Sequence, residues 1–268
     1  MKTQCLKIEG CNNMKFAFSC RTSHKEIFDW AYELEDIGYS GWEIVHEGEQ
    51  GLTPENIQLV KEIAETTNLG ITLHLPFSDM NLAGLNTALH REVIRQMKQA
   101  INNASGIVEL AVVHPGYLSP YGSQVPEKAR LKCVESLREL AETSEEHGIV
   151  IAVENMPEFP MVLGRTPEDM LALIEEAGND NLKMTLDIGH ANTTGLVDDF
   201  LDQCKDVIAH CHIHDNKGKH DEHLPIGEGN VDWKNVLKKL ADFDGFLVTE
   251  MKDLEEGKQC LDFLKKIQ

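Results

Sequence analysis

The stretch from residue 207 to residue 230, VIAHCHIHDNKGKHDEHLPIGEGN, decides the fold, because it joins a strand to a loop rich in histidine. Residues 207–213 are apolar enough to form a buried strand, and the polar loop after them closes with Gly-Glu-Gly. Imidazole and carboxylate groups are the ligands that Zn²⁺ or Mn²⁺ binds. We therefore expect metal ligands at the end of this strand and in its loop. The alternative is a histidine-rich surface loop without an ion.

The same alternation of short apolar runs and longer helical patterns extends along the chain. Strands are predicted at residues 15–19, 41–45, 70–73, 107–113, 150–153, 182–186, 207–213 and 245–249. Helices are predicted at residues 23–36, 54–67, 87–103, 126–147, 167–177, 197–205, 232–242 and 254–267. Eight strands that each precede a helix, in 268 residues, predict an α/β protein with a single (β/α)8 TIM barrel. Residues 1–13 are expected to be an N-terminal extension of this one domain. A doubly wound sheet is the alternative, but no GxGxxG loop follows the first strand.

In a TIM barrel the functional residues lie at the carboxyl ends of the strands. Strands three to eight each end in a residue that can bind a metal ion: His74, His114, Glu154, Asp187, His212 or His214, and Glu250. Three more such residues follow in the sequence: His190, Asp221 and His223. Each one alone is readily explained as a hydrogen-bonded core histidine or a helix cap. Together they would carry unpaired charge into one barrel mouth, which is costly unless cations are bound there.

The number of candidate ligands bears on the number of ions. With His212 counted for strand seven, there are five histidines and four carboxylates, more than the four to six ligands of one ion. One divalent ion would leave this set with a charge of about −2, whereas three would give about +2 and attract phosphate. We expect one to three divalent ions per chain, with Zn²⁺ preferred and Mn²⁺ as the alternative.

Composition limits the partners. The net charge of −20 disfavours attraction to nucleic acid or to an anionic membrane, although a metal-filled cleft could still be locally positive. The seven cysteines include no CxxC motif, which predicts reduced thiols in the cytoplasm. No apolar run is long enough to span a bilayer, and residues 1–13 contain no secretory signal. No protein partner is implied.

The motifs at the strand ends, taken as a set, resemble the xylose isomerase-like TIM barrels, which include endonuclease IV and sugar-phosphate isomerases and epimerases. The motifs are HLPF at residues 74–77, VVHPG at 112–116, VEN at 153–155, LDIGHAN at 186–192, HIHD at 212–215, DEHLPIGEG at 221–229 and TEM at 249–251. The resemblance begins at about residue 14 and covers the rest of the chain. It is specific for the superfamily and less specific for one activity.

Similarity to endonuclease IV implies a site with three ions. The first ion would be bound by His74, His114 and Glu154. The second would be bound by Glu154, Asp187, His212 and Glu250, and the third by His190, Asp221 and His223. In this interpretation His214 points to the other side of the strand end and is not a ligand. His210 and His220 are expected to be structural or solvated.

The first functional hypothesis is phosphoester hydrolysis on a phosphorylated sugar, either abasic DNA or a smaller sugar phosphate. The ions would bind the phosphate and activate a water, with Glu154 holding the hydroxide and Glu250 orienting it. The acidic loop HEGEQG at residues 46–51 departs from the basic loops of endonuclease IV.

The second hypothesis is isomerisation or epimerisation of a sugar or sugar phosphate. The resemblance to the epimerases implies one metal ion, with Glu154 and Glu250 as a general acid and base pair. His190 would then bind a sugar hydroxyl. These epimerases also use an arginine shortly after the seventh-strand histidine, where this chain has Asn-Lys-Gly-Lys at residues 216–219. A third hypothesis is a metal-binding or regulatory barrel without catalysis.

Three residues are candidates for binding substrate. Phe77 corresponds to an aromatic residue that stacks at the abasic site, although it could equally belong to a packed turn. Asn155 could hydrogen-bond substrate or a ligand carboxylate. Lys217 could bind a phosphate, although lysines in polar loops are usually solvated.

Overall fold

The computed structural model describes residues 14–20 and 28–267, and over these residues it forms a closed barrel of eight parallel strands in sequence order. The strands are β1 (Lys15–Cys20), β2 (Gly41–Val45), β3 (Gly70–His74), β4 (Leu110–Val113), β5 (Val150–Glu154), β6 (Leu182–Asp187), β7 (Ile208–Ile213) and β8 (Phe246–Met251). The predicted TIM barrel is therefore confirmed. The predicted extension at residues 1–13 and the start of the predicted helix 23–36 lie outside the described residues.

The helices surround the barrel. Within the described ranges they are α1 (Leu34–Ile37), α2 (Pro54–Thr66), α3 (Thr87–Ala104), α4 (Pro126–Glu145), α5 (Pro167–Ala177), α6 (Ile188–Thr194), α7 (Val197–Gln203), α8 (Trp233–Lys239) and α9 (Leu254–Ile267). Short 3₁₀ helices lie at Asp29–Glu33, Gly48–Gln50 and Gly122–Gln124.

The local sequence explains where several helices begin and end. The Thr53 hydroxyl accepts a hydrogen bond from the Asn56 amide, and Pro54 occupies the first helical position of α2. Gly38 and Gly178 end α1 and α5 in the left-handed conformation, which glycine adopts without steric cost. The strands are almost wholly buried, as expected for parallel strands covered by helices on one face and by the barrel interior on the other.

One predicted helix is largely replaced in the structure, and one helix of the structure was not predicted. The described part of the predicted helix 23–36 is a 3₁₀ turn followed by the four-residue helix α1. Helix α6 was not predicted, because its sequence IGHANTT contains glycine, asparagine and threonine, which are weak helix formers. Asp187 compensates by capping this helix, since its carboxylate accepts a hydrogen bond from the His190 amide at 2.7 Å. The cap fixes His190 at the barrel mouth.

The described helices include none that is both long and apolar enough to cross a membrane. Four cysteines in these ranges are buried free thiols: Cys133, Cys204, Cys211 and Cys260. Burial raises the pKa of Cys133 to about 12 and that of Cys204 to about 11. These two thiols are therefore protonated at neutral pH and unreactive.

Candidate metal centre

The Glu154 carboxylate lies at the centre of the site. It ends β5, is 1% exposed, and is approached by one ring nitrogen from each of four histidines. Its Oε2 lies 3.3 Å from His74 Nε2 and 3.1 Å from His114 Nε2. Its Oε1 lies 3.1 Å from His212 Nδ1 and 3.4 Å from His190 Nδ1. The barrel therefore brings residues separated by more than a hundred positions to one carboxylate.

Two more carboxylates lie near the imidazole of His212. Its Nδ1 lies 3.5 Å from Glu250 Oε1 and 3.9 Å from Asp187 Oδ2. We call Glu154, Asp187, His212 and Glu250 the inner group. All four side chains come from strands β5 to β8, and each residue is less than 9% exposed. Ligand atoms of Glu154, Asp187 and His212 lie within 4.8 Å of one another, and Asp187 also groups with Glu250 and His214 in the same way, so carboxylates and imidazoles are available to a divalent ion here.

A second set of donors lies on the solvent side of the inner group. The outer group consists of His190, His214, Asp221 and His223, whose ligand atoms lie within 4.8 Å of one another. Asp221 Oδ2 lies 3.4 Å from His190 Nε2 and 3.1 Å from His223 Nε2. The set therefore offers three imidazoles and one carboxylate, a donor combination that suits Zn²⁺.

The expected direction of His214 was wrong. Its Nε2 lies 3.2 Å from Asp187 Oδ1 and 3.4 Å from Asp221 Oδ1, so the ring points into the site. Residues two apart along a strand face the same side, and His214 follows His212 by two. Asp215 is the residue that points away, and its carboxylate accepts hydrogen bonds from the backbone of the following loop and from the Trp233 indole.

Two local features hold the outer group in place. A Cβ added to Gly189 would lie 2.0 Å from His214 Cε1, so only glycine leaves room for this imidazole. His223 has a φ of 47°, in the left-handed region where a residue other than glycine is strained. Its ring stacks on that of His214, with centroids 3.7 Å apart and an angle of 11° between the planes.

Hydrogen bonds to backbone carbonyl groups fix which ring nitrogen of His74 and of His190 is protonated. His74 Nδ1 lies 2.8 Å from the Leu75 carbonyl oxygen, and His190 Nδ1 lies 2.8 Å from that of Asn155. A carbonyl only accepts, so both Nδ1 atoms donate, and in a neutral ring Nε2 then carries a lone pair. In each case that Nε2 faces a carboxylate, which is favourable only when a proton or a cation lies between them.

The pKa values express the same excess of negative charge. Burial lowers the pKa of His190, but Asp187, Asp221 and Glu154 outweigh burial and raise it to about 10. The same competition raises the pKa of His74, His212 and His214. For His114 burial dominates and lowers the pKa. Burial opposes ionisation of Glu154, yet the surrounding histidines hold its pKa well below the ordinary value.

Several buried polar atoms of the site have no hydrogen-bond partner among the described residues. They are Asp187 Oδ2, His212 Nε2, both ring nitrogens of His214 and His223 Nδ1. Buried polar atoms are normally paired, because removing them from water without a partner is unfavourable. The donor chemistry and these unpaired atoms therefore fit divalent cations.

Glu43 is a buried acidic residue of this region that the sequence analysis missed. It lies within β2 with no exposed surface. Its Oε2 accepts a hydrogen bond from His210 Nε2 at 2.8 Å, and its Oε1 lies 3.0 Å from His212 Nε2. The second contact lies outside hydrogen-bond geometry and is an ion-pair contact. Burial opposes ionisation of Glu43, but His212 and His210 hold its pKa below the ordinary value.

A cavity of about 340 Å³ opens above the metal centre. Polar lining comes from His74, His114 and members of the inner and outer groups, and apolar lining comes from Val45, Phe77, Met156 and Pro157. Among the described residues no lysine or arginine lines this cavity. Phe77 is 39% exposed, and its ring centroid lies 5.1 Å from that of His74 and 5.1 Å from that of His114.

The other two substrate-binding candidates lie elsewhere. The Asn155 side chain is fully buried, donates to the Asp187 carbonyl at 3.0 Å and accepts from the Asp187 amide at 2.8 Å. Its side-chain amide therefore hydrogen-bonds the Asp187 backbone and not the Asp187 carboxylate, and a role in substrate binding stays a prediction. Lys217 is exposed and does not line the cavity. His210 is buried against Glu43, and His220 is exposed.

A closed (β/α)8 barrel with histidines and carboxylates converging at its mouth defines the class of protein. The sequence matches the family described as "Xylose isomerase-like TIM barrel" over residues 31–267, so the chain belongs to this family. The predicted family is confirmed, whereas the nine-ligand site of the endonuclease IV type stays a prediction.

Three individual relatives show which members of the family this chain resembles. An uncharacterized protein of Methanocaldococcus jannaschii, MJ1311, is 36% identical over 95% of this chain and 89% of its own length. The crystal structure of a D-tagatose 3-epimerase-like protein is 35% identical, with a TM-score of 0.89 over 95% of this chain and 97% of that one. Fructoselysine 3-epimerase of Shigella flexneri is 23% identical over 87% of this chain and 88% of its own length. With sugar epimerases among its relatives, the chain is an enzyme, as predicted.

Proposed function

We propose that this chain is a divalent-metal-dependent sugar epimerase or isomerase that acts on a small ketose. The observation that carries the proposal is the meeting of Glu154 and Glu250 at the His212 imidazole, beneath the cavity. The relatives named as epimerases support it, and they favour this hypothesis over phosphoester hydrolysis.

The inner group would bind the ion required for this chemistry. Three carboxylates and one imidazole can satisfy Mn²⁺ or Zn²⁺ while leaving positions for two oxygens of a sugar. A divalent ion bound there polarises the sugar carbonyl and so acidifies the neighbouring C–H group.

The two glutamates of the inner group would move the proton. One carboxylate, as the anion, removes the proton from the carbon beside the carbonyl, and the other, which begins in its protonated form, gives its proton to the opposite face, so that the two groups exchange protonation states in each turnover. Glu154 is contacted by four imidazoles and Glu250 by His212 and His223, so Glu154 is the more strongly stabilised anion. We therefore assign Glu250 mainly the function of the base that removes the proton, and Glu154 mainly the function of a ligand of the ion. The wall formed by Val45, Phe77, Met156 and Pro157 would exclude water from the reacting carbon.

The cavity favours a sugar without a phosphate group. Phosphate is usually bound by arginine, lysine or helix N-termini, and the described cavity wall contains no basic side chain other than histidine. Phe77 would pack against the apolar face of the sugar ring. The net charge of −20 disfavours DNA as the substrate. We place the enzyme in the cytoplasm, in agreement with its buried free thiols.

Phosphoester hydrolysis is the second candidate because one observation favours it. The outer group, together with His74 and His114, supplies more donors than a single ion uses. If three ions were bound, the site would become positive and would attract a phosphate despite the missing lysines and arginines.

Deuterium exchange tests the main proposal. The metal-free protein is loaded with Mn²⁺ or Zn²⁺ and incubated in D₂O with a panel of unphosphorylated ketoses, and proton loss at the carbons beside the carbonyl is followed by NMR. We expect exchange and appearance of the epimer with at least one ketose, and neither with Glu250→Gln. A parallel assay uses sugar phosphates and abasic-site DNA. Cleavage of these substrates without exchange on any ketose would contradict the proposed epimerase activity and would support phosphoester hydrolysis.

A further inference from the structure

The carboxylate of Glu43 lies beneath the metal centre, inside the barrel, where a strand normally carries an apolar side chain. It has no exposed surface, and no solvent reaches it to satisfy its charge. A buried carboxylate persists only when hydrogen bonds and charged partners compensate its lost hydration. The partners of Glu43 therefore indicate what this position does.

The two oxygens of Glu43 differ in their contacts, since Oε2 is hydrogen-bonded and Oε1 is not. Oε2 accepts from His210 Nε2 at 2.8 Å and from the Thr72 hydroxyl at 3.0 Å. These two contacts anchor the carboxylate to β7 and β3. Oε1 is left to face His212 Nε2 at 3.0 Å.

The His212 ring is therefore held between carboxylates on both edges. Its Nδ1 edge is in hydrogen-bond geometry with Glu154 at 3.1 Å and lies 3.5 Å from Glu250, whereas its Nε2 edge makes an ion-pair contact with Glu43. A neutral imidazole has one N–H group and one lone pair. If the proton lay on Nδ1, the lone pair of Nε2 would face the Glu43 carboxylate and Nδ1 could not bind an ion.

We propose that Glu43 is a positioning residue that keeps the His212 proton on Nε2 and thereby presents the Nδ1 lone pair to the inner group. A carboxylate that orients a metal-binding histidine strengthens the ligand and fixes its ring. His210 completes the arrangement, since it holds Glu43 without itself reaching the inner group. The proposal rests on the inner group as the metal site of the proposed function, but it does not depend on which reaction takes place there.

The first test measures metal affinity by titrating metal-free protein with Mn²⁺ and Co²⁺. Replacing Glu43 by Gln keeps the shape but removes the charge that selects the tautomer, so Glu43→Gln should bind the inner-group ion about 10–100-fold more weakly. Glu43→Asp retains the charge and should recover part of the affinity. Thr72→Val is the matched control, since it removes a hydrogen bond from the same carboxylate without altering its charge, and it should stay within about twofold of the parent.

The spectrum of bound Co²⁺ separates positioning from a general loss of stability. We expect its d–d bands to shift in Glu43→Gln, because a displaced imidazole alters the ligand geometry, and to remain unchanged in Thr72→Val. Equal loss of affinity in both variants would overturn the proposal. So would the loss of one bound ion from Glu43→Gln with unchanged affinity for the others, since Glu43, His210 and His212 would then themselves bind that ion.

The second test uses the parent protein, so its outcome does not depend on whether a variant folds. Long-range ¹H–¹⁵N NMR on the histidine-labelled parent protein, free of metal at high pH and then loaded with Zn²⁺, reports the His212 tautomer. The proposal requires a proton on Nε2 in the Zn²⁺-loaded state, where Nδ1 binds the ion, and a proton on Nδ1 in that state would overturn it. Absence of sugar epimerisation would count against the proposed function and would leave these measurements intact.

Discussion

The inner and outer groups use the same kinds of side chain but are held in different ways. The inner group lies on four neighbouring strands, and His212 and Asp187 have no exposed surface. Three of the four members of the outer group follow β7 in the chain, and among them the Asp221 side chain is 29% exposed and His223 has a left-handed backbone. Barrel topology therefore positions the inner group, whereas the outer group depends on packing in one loop and on Gly189. We therefore expect substitutions in the loop after β7 to leave the positions of the inner group unchanged and to alter those of the outer group.

The largest expected effect comes from removing the residue that connects the two groups. Glu154→Gln removes the carboxylate that contacts histidines on four sides. We expect metal binding to weaken at both groups and deuterium exchange to fall by about 10²–10⁴-fold. Metal content is measured after dialysis and exchange by NMR. The control is Glu158→Gln, whose carboxylate forms an ion pair with Arg165 on the surface. Unchanged metal content in Glu154→Gln would show that this residue is not a ligand.

Gly189→Ala should disrupt the outer group and spare most of the inner one. Its new methyl group would lie 2.0 Å from the His214 ring, which must move away. We expect the free energy of unfolding to fall by about 1–3 kcal/mol. The number of Zn²⁺ ions bound should fall while one ion remains. Gly51→Ala is the matched control, because its methyl group would meet nothing closer than 3.4 Å. Loss of every ion in Gly189→Ala would mean that the groups are not separable.

The histidines of the site predict how metal binding depends on pH. The pKa of His190 is raised to about 10, and those of His74, His212 and His214 are raised as well. In the metal-free protein this stabilisation is complete below the ordinary histidine pKa of about 6.5 and is lost as pH rises through the raised values. An ion must displace these protons, so its affinity should rise with pH.

Thermal unfolding measures this dependence. At a fixed concentration of Mn²⁺, the increase in Tm over metal-free protein should grow by a few degrees from pH 6 to pH 8. Mg²⁺ prefers oxygen ligands and should show a weaker trend. A Mn²⁺-induced shift that is independent of pH would exclude these histidines as ligands.

The smallest effect concerns the apolar wall. Glu47 Oε1 accepts hydrogen bonds from the amides of Phe77 and Ser78, both at 2.7 Å, and so holds the loop that carries the Phe77 ring. Glu47→Ala should raise the KM for the ketose about two- to fivefold and lower the free energy of unfolding by about 1 kcal/mol. Metal affinity should stay unchanged, because Glu47 is not part of either group. Glu49→Ala is the control on the same loop, and an equal KM change there would assign the effect to loop charge.

The contrast between the groups also explains what the sequence could predict. His74, His114, Glu154, Asp187 and Glu250 each lie at the end of a strand or one residue from it, and parallel strands in a closed barrel place their ends together. Hydrophobic patterning was therefore sufficient to bring them into one site. Assignment of individual ligands to ions stays a prediction, because pattern and spacing do not determine which donors share an ion.

The errors and omissions have physical causes. Glu43 was missed because it lies within a strand and ends none, and no pattern distinguishes a buried charge from a solvated one before its partners are known. His214 was misplaced although its spacing from His212 favours the same side. Helix α6 was missed because a side-chain cap, rather than helix propensity, begins it.

Backbone hydrogen bonds hold both ends of the loop after β7. Asp215 and Leu224 exchange two of 2.8 Å each, and the Asp215 carboxylate accepts a further one from the amide of Gly227. Residues 217–220 lie between these hydrogen bonds and do not line the cavity. Segments of other lengths inserted at residues 217–220 would therefore leave β7 in place, so this part of the loop can vary in length while the barrel stays as it is.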